Sequence, residues 1–256
     1  MNRETLNTLF DLTGRTAVVT GGTRGIGLAI AEGFAAAGAD VVVASRKADA
    51  CTEAARHLRS VGGNAIGIAT HMGELDDLTA LAEGAADEFG GIDILVNAAA
   101  NPLTLPLGKF TPEAWSKSYD VNLRGPVFLT QAALPYLEAS RHAAVINVIS
   151  VGAFMFSPKV AMYAAGKNAL LSYTRSMAAE FAPRGIRVNA LAPGSVDTDM
   201  VRNNPPEAIE AMRQMSLQQR IAAPDEMVGP ALLLASDAGS YITGQVIVAD
   251  GGSVVH

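Results

Sequence analysis

A single cysteine, Cys51, leaves no second thiol for an internal disulfide, and no grouping of Cys and His has the spacing of metal ligands. The expectation is a fold held without cross-links or metal, in a reduced, cytoplasmic setting. Charge is also scarce: Asp, Glu, Lys and Arg make up 17% of 256 residues, with a net charge of −6. Such a chain is a poor generic partner for nucleic acid or an anionic membrane, although a local basic pocket for one phosphate stays compatible. No apolar run approaches the ~18 residues of a membrane helix. Arg3, Glu4, Asn7 and Asp11 interrupt the first fifteen residues, which therefore lack the continuous core of a secretory leader.

Aliphatic residues are plentiful instead. Apolar residues reach 49%, which suits a parallel sheet buried on both faces and an oligomer interface besides. Short apolar runs at 16–20, 41–45, 65–69, 93–97, 143–149, 186–191 and 245–248 alternate with helical stretches at 28–37, 49–61, 76–89, 112–137, 160–182 and 225–235. Alternation from end to end, without repeat or linker, predicts one doubly wound α/β unit over 1–256, core 12–252: a seven-stranded parallel sheet with helices on both faces. The polar, proline-interrupted stretch 199–220, carrying Met200, Met212 and Met215, reads as a mobile lid.

The first run ends in Gly21-Gly22-Thr23-Arg24-Gly25-Ile26-Gly27 and a helix follows. Strand, glycine turn and helix form the context in which a pyrophosphate is held, because glycines admit the ligand and helix-start N–H groups face the anion. The spacing is G-x-x-x-G-x-G, not G-x-G-x-x-G. Some twenty residues on, where an NAD-binding fold carries an acid, stand Ser45 and Arg46. A guanidinium there, with Arg24 in the loop, suits a 2′-phosphate, so the expected cofactor is NADP(H); two solvated surface charges are the alternative. Small residues follow Asn97 at Ala98-Ala99-Ala100, admitting close approach of either neighbouring chain or ligand. His71 reads as a loop residue on the adenine side, with no part in proton transfer.

Tyr163-Ala164-Ala165-Gly166-Lys167 places a phenol and an ammonium at i and i+4 on one helix face. A nearby cation favours phenolate, so Tyr163 is expected to have a lowered pKa suited to making and breaking an alcohol O–H bond. Asn122 stands mid-helix against its local preference, as a site residue or as ordinary wet-face polarity. Ser150 closes the fifth run, and the irregular apolar segment from Gly152 to Pro158 reads either as a pocket wall or as loop packing.

In this order and spacing the motifs resemble the short-chain dehydrogenase/reductase family over about 12–252. Thr20 to Gly27 is similar to its TGxxxGxG, Tyr163 to Lys167 to its YxxxK, and Pro193-Gly194-Ser195-Val196-Asp197-Thr198 to its PGxxxT. The resemblance implies that Tyr163 transfers the proton, Ser150 hydrogen-bonds the substrate oxygen, Lys167 holds the nicotinamide ribose and Asn122 positions a water leading to Lys167. It implies cofactor contacts from Gly21, Thr23, Arg24, Gly25, Ile26, Gly27, Ser45, Arg46, Asn97, Ala98, Ala99, Pro193, Gly194, Val196 and Thr198, with Tyr163 and Lys167. It also implies a homotetramer acting on a small carbonyl or alcohol. The family's NNAG reads Asn97-Ala98-Ala99-Ala100 here, so the strand-linking bonds of the second amide are missing. The rival from another class is a non-catalytic dinucleotide-sensing module, against which the intact set Asn122, Ser150, Tyr163 and Lys167 speaks.

Overall fold

Valine, isoleucine and alanine fill runs too short for helices and rich in Cβ branching, and these runs pair into one sheet. In the computed structural model, which describes residues 2–156 and 159–254, the strands are β1 (Thr16–Thr20), β2 (Asp40–Ser45), β3 (Asn64–Ala69), β4 (Ile94–Asn97), β5 (Ala144–Val148), β6 (Arg187–Pro193) and β7 (Val246–Ala249). Their order is 3-2-1-4-5-6-7 and every adjacent pair is parallel. The helices are α1 (Arg3–Thr8), α2 (Gly25–Ala36), α3 (Ala48–Ser60), α4 (Leu75–Phe89), α5 (Pro112–Tyr119), α6 (Gly125–Ala139), α7 (Ala161–Phe181), α8 (Asp199–Arg202), α9 (Pro206–Met215) and α10 (Val228–Ala235). No helix among the described residues is long and apolar enough to cross a membrane.

The two-residue period of a strand sends alternate side chains to opposite faces, and both faces are covered. Ala17, Val19, Val41, Val43, Ile94 and Val96 pack with Ile30, Phe34 and Leu58 of α2 and α3 and with Leu234 of α10. Val18, Val42, Leu95, Val145 and Val188 pack on the other side with Leu78 and Leu81 of α4, Leu129 and Leu137 of α6, and Phe181 of α7. Phe34 and Leu58 are fully buried, each worth about 1.5–3 kcal/mol of transfer from water. Strand order reverses direction between β1 and β4, so the turns leaving the carboxyl ends of these two strands diverge and open a crevice.

Local boundaries differ from expectation in places. Residues 3–8 form a short helix that the scattered apolar positions did not announce, its start capped by Asn2, whose side chain accepts from Thr5 N–H. The helix after the glycine turn begins at Gly25, inside the motif, not at Leu28. The expected single helix 112–137 is interrupted: α5, capped by Thr111 with Pro112 in its first turn, passes into a π-helical turn, Asp120–Arg124, before α6. Such wide turns occur often at functional sites, and Asn122 is in its middle. Residues 199–220, expected as a lid, hold the two helices α8 and α9.

Candidate active site

The walls of the crevice are set by glycines. Gly21 has φ +67°, the left-handed region, and a Cβ there would press on the backbone of Ala98 and Ala99. A Cβ on Gly27 would overlap the Gly21 carbonyl oxygen, so the loop closes only because that position is bare. Thr198 packs directly against Gly25. Segments 21–27, 97–99 and 193–198 therefore meet, as expected from sequence. Thr20 fastens them: its Oγ1 accepts from the N–H groups of Ala98 and Ala99 at 3.2 and 3.3 Å.

Some of the expected cofactor residues have their side chains engaged elsewhere. Asn97 is 1% exposed, and its amide donates to Asn147 Oδ1 at 2.9 Å, not into the crevice. Asn147 donates in turn to Thr174 Oγ1 on α7 at 2.9 Å. This chain ties β4 through β5 to the helix carrying Tyr163, so the strand link that seemed at risk without a second amide is made by Asn97 itself. Val196 is buried in the core and Ile26 packs against it. The Ser45 hydroxyl lies 3.3 Å from Cys51 Sγ at the start of α3. Asn147 in the all-buried strand β5 was a visible signal, since an amide is costly there unless partnered.

Tyr163 and Lys167 do share one face of α7. Lys167 is 1% exposed and its Nζ donates to the Val148 carbonyl at 2.7 Å. The same Nζ stands 5.8 Å from the Tyr163 ring centroid, over the ring. The expected lowering of the phenol is corrected accordingly. Burial pushes Tyr163 up to about 12, against a smaller pull from its hydrogen bond with Ser150. Burial pushes Lys167 down to about 8. Desolvation, which disfavours the charged form of each, is the largest cause of both shifts. Ser150 itself is positioned by the Gly152 N–H, which donates to its Oγ at 3.1 Å as the chain turns into a short 3₁₀ segment, Val151–Ala153. Of the following apolar stretch, Phe156 is exposed, while Ser157 and Pro158 lie outside the described residues.

Asn122 is fully buried, and its side chain is fully engaged. Its Nδ2 donates to Asn101 O at 2.8 Å and Ser118 O at 2.9 Å, and its Oδ1 accepts from Asn101 N–H at 3.0 Å. The amide thus clamps the loop after β4 to the π-turn. Gly166 lies opposite: an added Cβ would meet Asn122 Cβ at 3.5 Å, ordinary contact distance. Because glycine inside a helix costs about 1 kcal/mol relative to alanine, Gly166→Ala is expected to raise the thermal midpoint by a few degrees; a fall in a calorimetric scan would show that α7 is packed more tightly than these distances state.

The charged candidates separate. Arg46 is exposed and makes no ion pair among the described residues. Arg24 pairs instead with Asp199, its Nη1 3.1 Å from Oδ2. His71 folds back on its own turn, Nδ1 accepting from Gly73 N–H at 3.2 Å.

A family model described as enoyl-(acyl carrier protein) reductase matches residues 21–254. The human dehydrogenase/reductase SDR family member 4 is 39% identical over 245 residues, 94% of this chain and 88% of that protein. A 3-oxoacyl-(acyl-carrier-protein) reductase structure from Agrobacterium tumefaciens C58, with NADP bound, superposes with a TM-score of 0.90 at 38% identity, covering 96% of this chain and 97% of that one. A 7α-hydroxysteroid dehydrogenase structure, complexed with NADH and 7-oxo glycochenodeoxycholic acid, gives a TM-score of 0.94 at 31% identity over 100% and 99% of the two chains. With a seven-stranded parallel sheet, a glycine turn at its strand-order reversal and a serine, tyrosine and lysine gathered past the carboxyl end of β5, the chain belongs to the short-chain dehydrogenase/reductase family of oxidoreductases.

Proposed function

We propose that the protein is an NADP(H)-dependent oxidoreductase that interconverts a carbonyl and a secondary alcohol, with Tyr163 as the proton donor and acceptor. One observation carries this: a half-buried phenol, hydrogen-bonded to Ser150 just past the carboxyl end of β5 and with a buried ammonium over its ring, on the same carboxyl edge of the parallel sheet as the glycine turn after β1. The residues fit a dinucleotide, since bare glycines and helix-start N–H groups face the crevice at 21–27. The nicotinamide, when bound, supplies or accepts the hydride. Ser150 and Tyr163 share the substrate oxygen, Ser150 donating a hydrogen bond while Tyr163 gives up its proton to the developing alkoxide. Lys167 holds the ribose hydroxyls and the positive charge beneath the ring.

The direction of the Tyr163 shift has a kinetic consequence. At neutral pH the phenol is protonated and ready to act as acid, whereas alcohol oxidation needs the phenolate. Oxidation is therefore expected to accelerate with rising pH more steeply than reduction.

Arg46, with Arg24, supports the choice of NADP(H), and the NADP-bound relative agrees with it. Arg46→Asp is expected to move the ratio of kcat/KM values towards NADH by at least tenfold, by setting a carboxylate against the 2′-phosphate. The decisive assay is NADPH oxidation against ketones, β-ketoacyl thioesters, sugars, steroids and quinones; no turnover on any class sinks the proposal. A homotetramer in the cytoplasm completes it, supported by apolar side chains left outward on α5 and α6, Trp115 at 50% and Phe128 at 38% exposure, and open to light scattering.

A further inference from the structure

Arg24 and Asp199 lie 175 residues apart in sequence, yet they meet across the mouth of the crevice. The meeting is built in by the neighbouring residues. Gly25 and Thr198 are in direct packing contact, so the next residue outward on each segment is brought face to face with the other. Arg24 sits in extended backbone at the start of α2 and makes no capping bond there, leaving its long side chain unencumbered except by Asp199. Asp199 opens α8, and Arg202, itself held by Asp197 at 2.7 and 2.9 Å, is close enough to feel the Asp199 charge. Asp199 therefore keeps a cation nearby even when Arg24 leaves, which makes the release of Arg24 inexpensive.

We propose that Asp199 tempers the preference for NADP(H) by competing with the 2′-phosphate for Arg24. This rests on the NADP(H) reading above and adds a residue that sequence motifs did not single out. A dinucleotide lacking the 2′-phosphate leaves the Arg24–Asp199 pair closed and binds without breaking it. One carrying the phosphate draws Arg24 towards Arg46 and must first open the pair. The pair is thus a selective brake on NADPH, and by reciprocity NADPH loosens the tether between the glycine loop and α8. Both side chains are more than half exposed, so the brake is modest, on the scale of an exposed ion pair, or about two- to fivefold in affinity.

The test is a double-mutant cycle on the full chain, with dissociation constants for NADPH and NADH measured by calorimetric titration. Asp199→Asn is expected to tighten NADPH about two- to fivefold, to leave NADH within its error, and to have no effect on NADPH once Arg24→Gln is present. An equal gain for both dinucleotides, or a gain that persists beside Arg24→Gln, marks a general charge effect and overturns the competition. If Arg24→Gln and Arg46→Gln each weaken NADPH while Asp199→Asn changes nothing, this inference alone fails. If neither arginine variant weakens NADPH, the NADP(H) reading fails and takes the inference with it.

Discussion

Tyr163→Phe is expected to retain the fold and NADPH binding while lowering turnover by about 10²- to 10⁴-fold, the range contributed by a positioned proton donor. The fold survives because the change removes one hydroxyl from a half-buried ring, and its partner Ser150 keeps the Gly152 N–H. Cofactor binding survives because the glycine crevice is built from 21–27, 97–99 and 193–198, none of which the phenol supports. Steady-state rates, a thermal scan and an NADPH fluorescence titration separate the three quantities. Turnover within threefold of wild type, with folding and binding intact, would remove Tyr163 from the chemistry and leave the crevice as a dinucleotide-binding site without an assigned reaction.

Lys167→Met is expected to divide stability from activity. A lysine whose pKa falls from 10.5 to about 8 on folding opposes the fold at neutral pH, by about 3 kcal/mol at 1.36 kcal/mol per unit. The sign follows from proton binding. Below about pH 8 the folded protein holds an ammonium it would rather not bury, and the cost is fully present; it fades as pH rises towards the unfolded value. Methionine removes that charge and fills similar volume, but it strands the Val148 carbonyl, at a cost of about 1–3 kcal/mol. The two effects nearly offset, so the thermal midpoint at pH 7 should equal or exceed that of the wild type. Turnover should fall about a hundredfold or more, because the cation over the ring is gone and, on the proposed mechanism, so is the hold on the ribose. A midpoint lowered by more than 5 °C would show that the ammonium is a structural strut; unchanged turnover would show that it has no part in the reaction.

Those two variants probe what the primary structure announced and what it could not. Runs such as Val41-Val42-Val43 are short, branched and uninterrupted, and only a strand covered on both faces uses them fully. Gly27 was legible as a close approach because only a bare α-carbon lets the loop return on the Gly21 carbonyl. Asn122 was visible as a misfit in a helix, but the π-turn around it was not. That turn depends on Asn101, in a loop twenty-one residues away, capturing the amide. Asn147 lay in plain view inside an apolar strand, and its meaning emerged only with Asn97 and Thr174 on either side.

The sequence by itself determined that strands and helices alternate, that a phosphate-sized turn follows the first strand, and that a phenol and an amine share a helix face. These are local matters, set by branching at Cβ, by glycine and by the 3.6-residue period. Tertiary structure alone decided the state of the groups so gathered. Spacing brings Lys167 over the Tyr163 ring, but the depth at which α7 packs moves each pKa, the phenol up and the ammonium down. Likewise an arginine in the glycine turn and another after the second strand are sequence facts, whereas the turning of Arg24 to Asp199 follows from Gly25 packing on Thr198. Desolvation and long-range contact depend on what lies around a residue, and no stretch of chain contains its own surroundings.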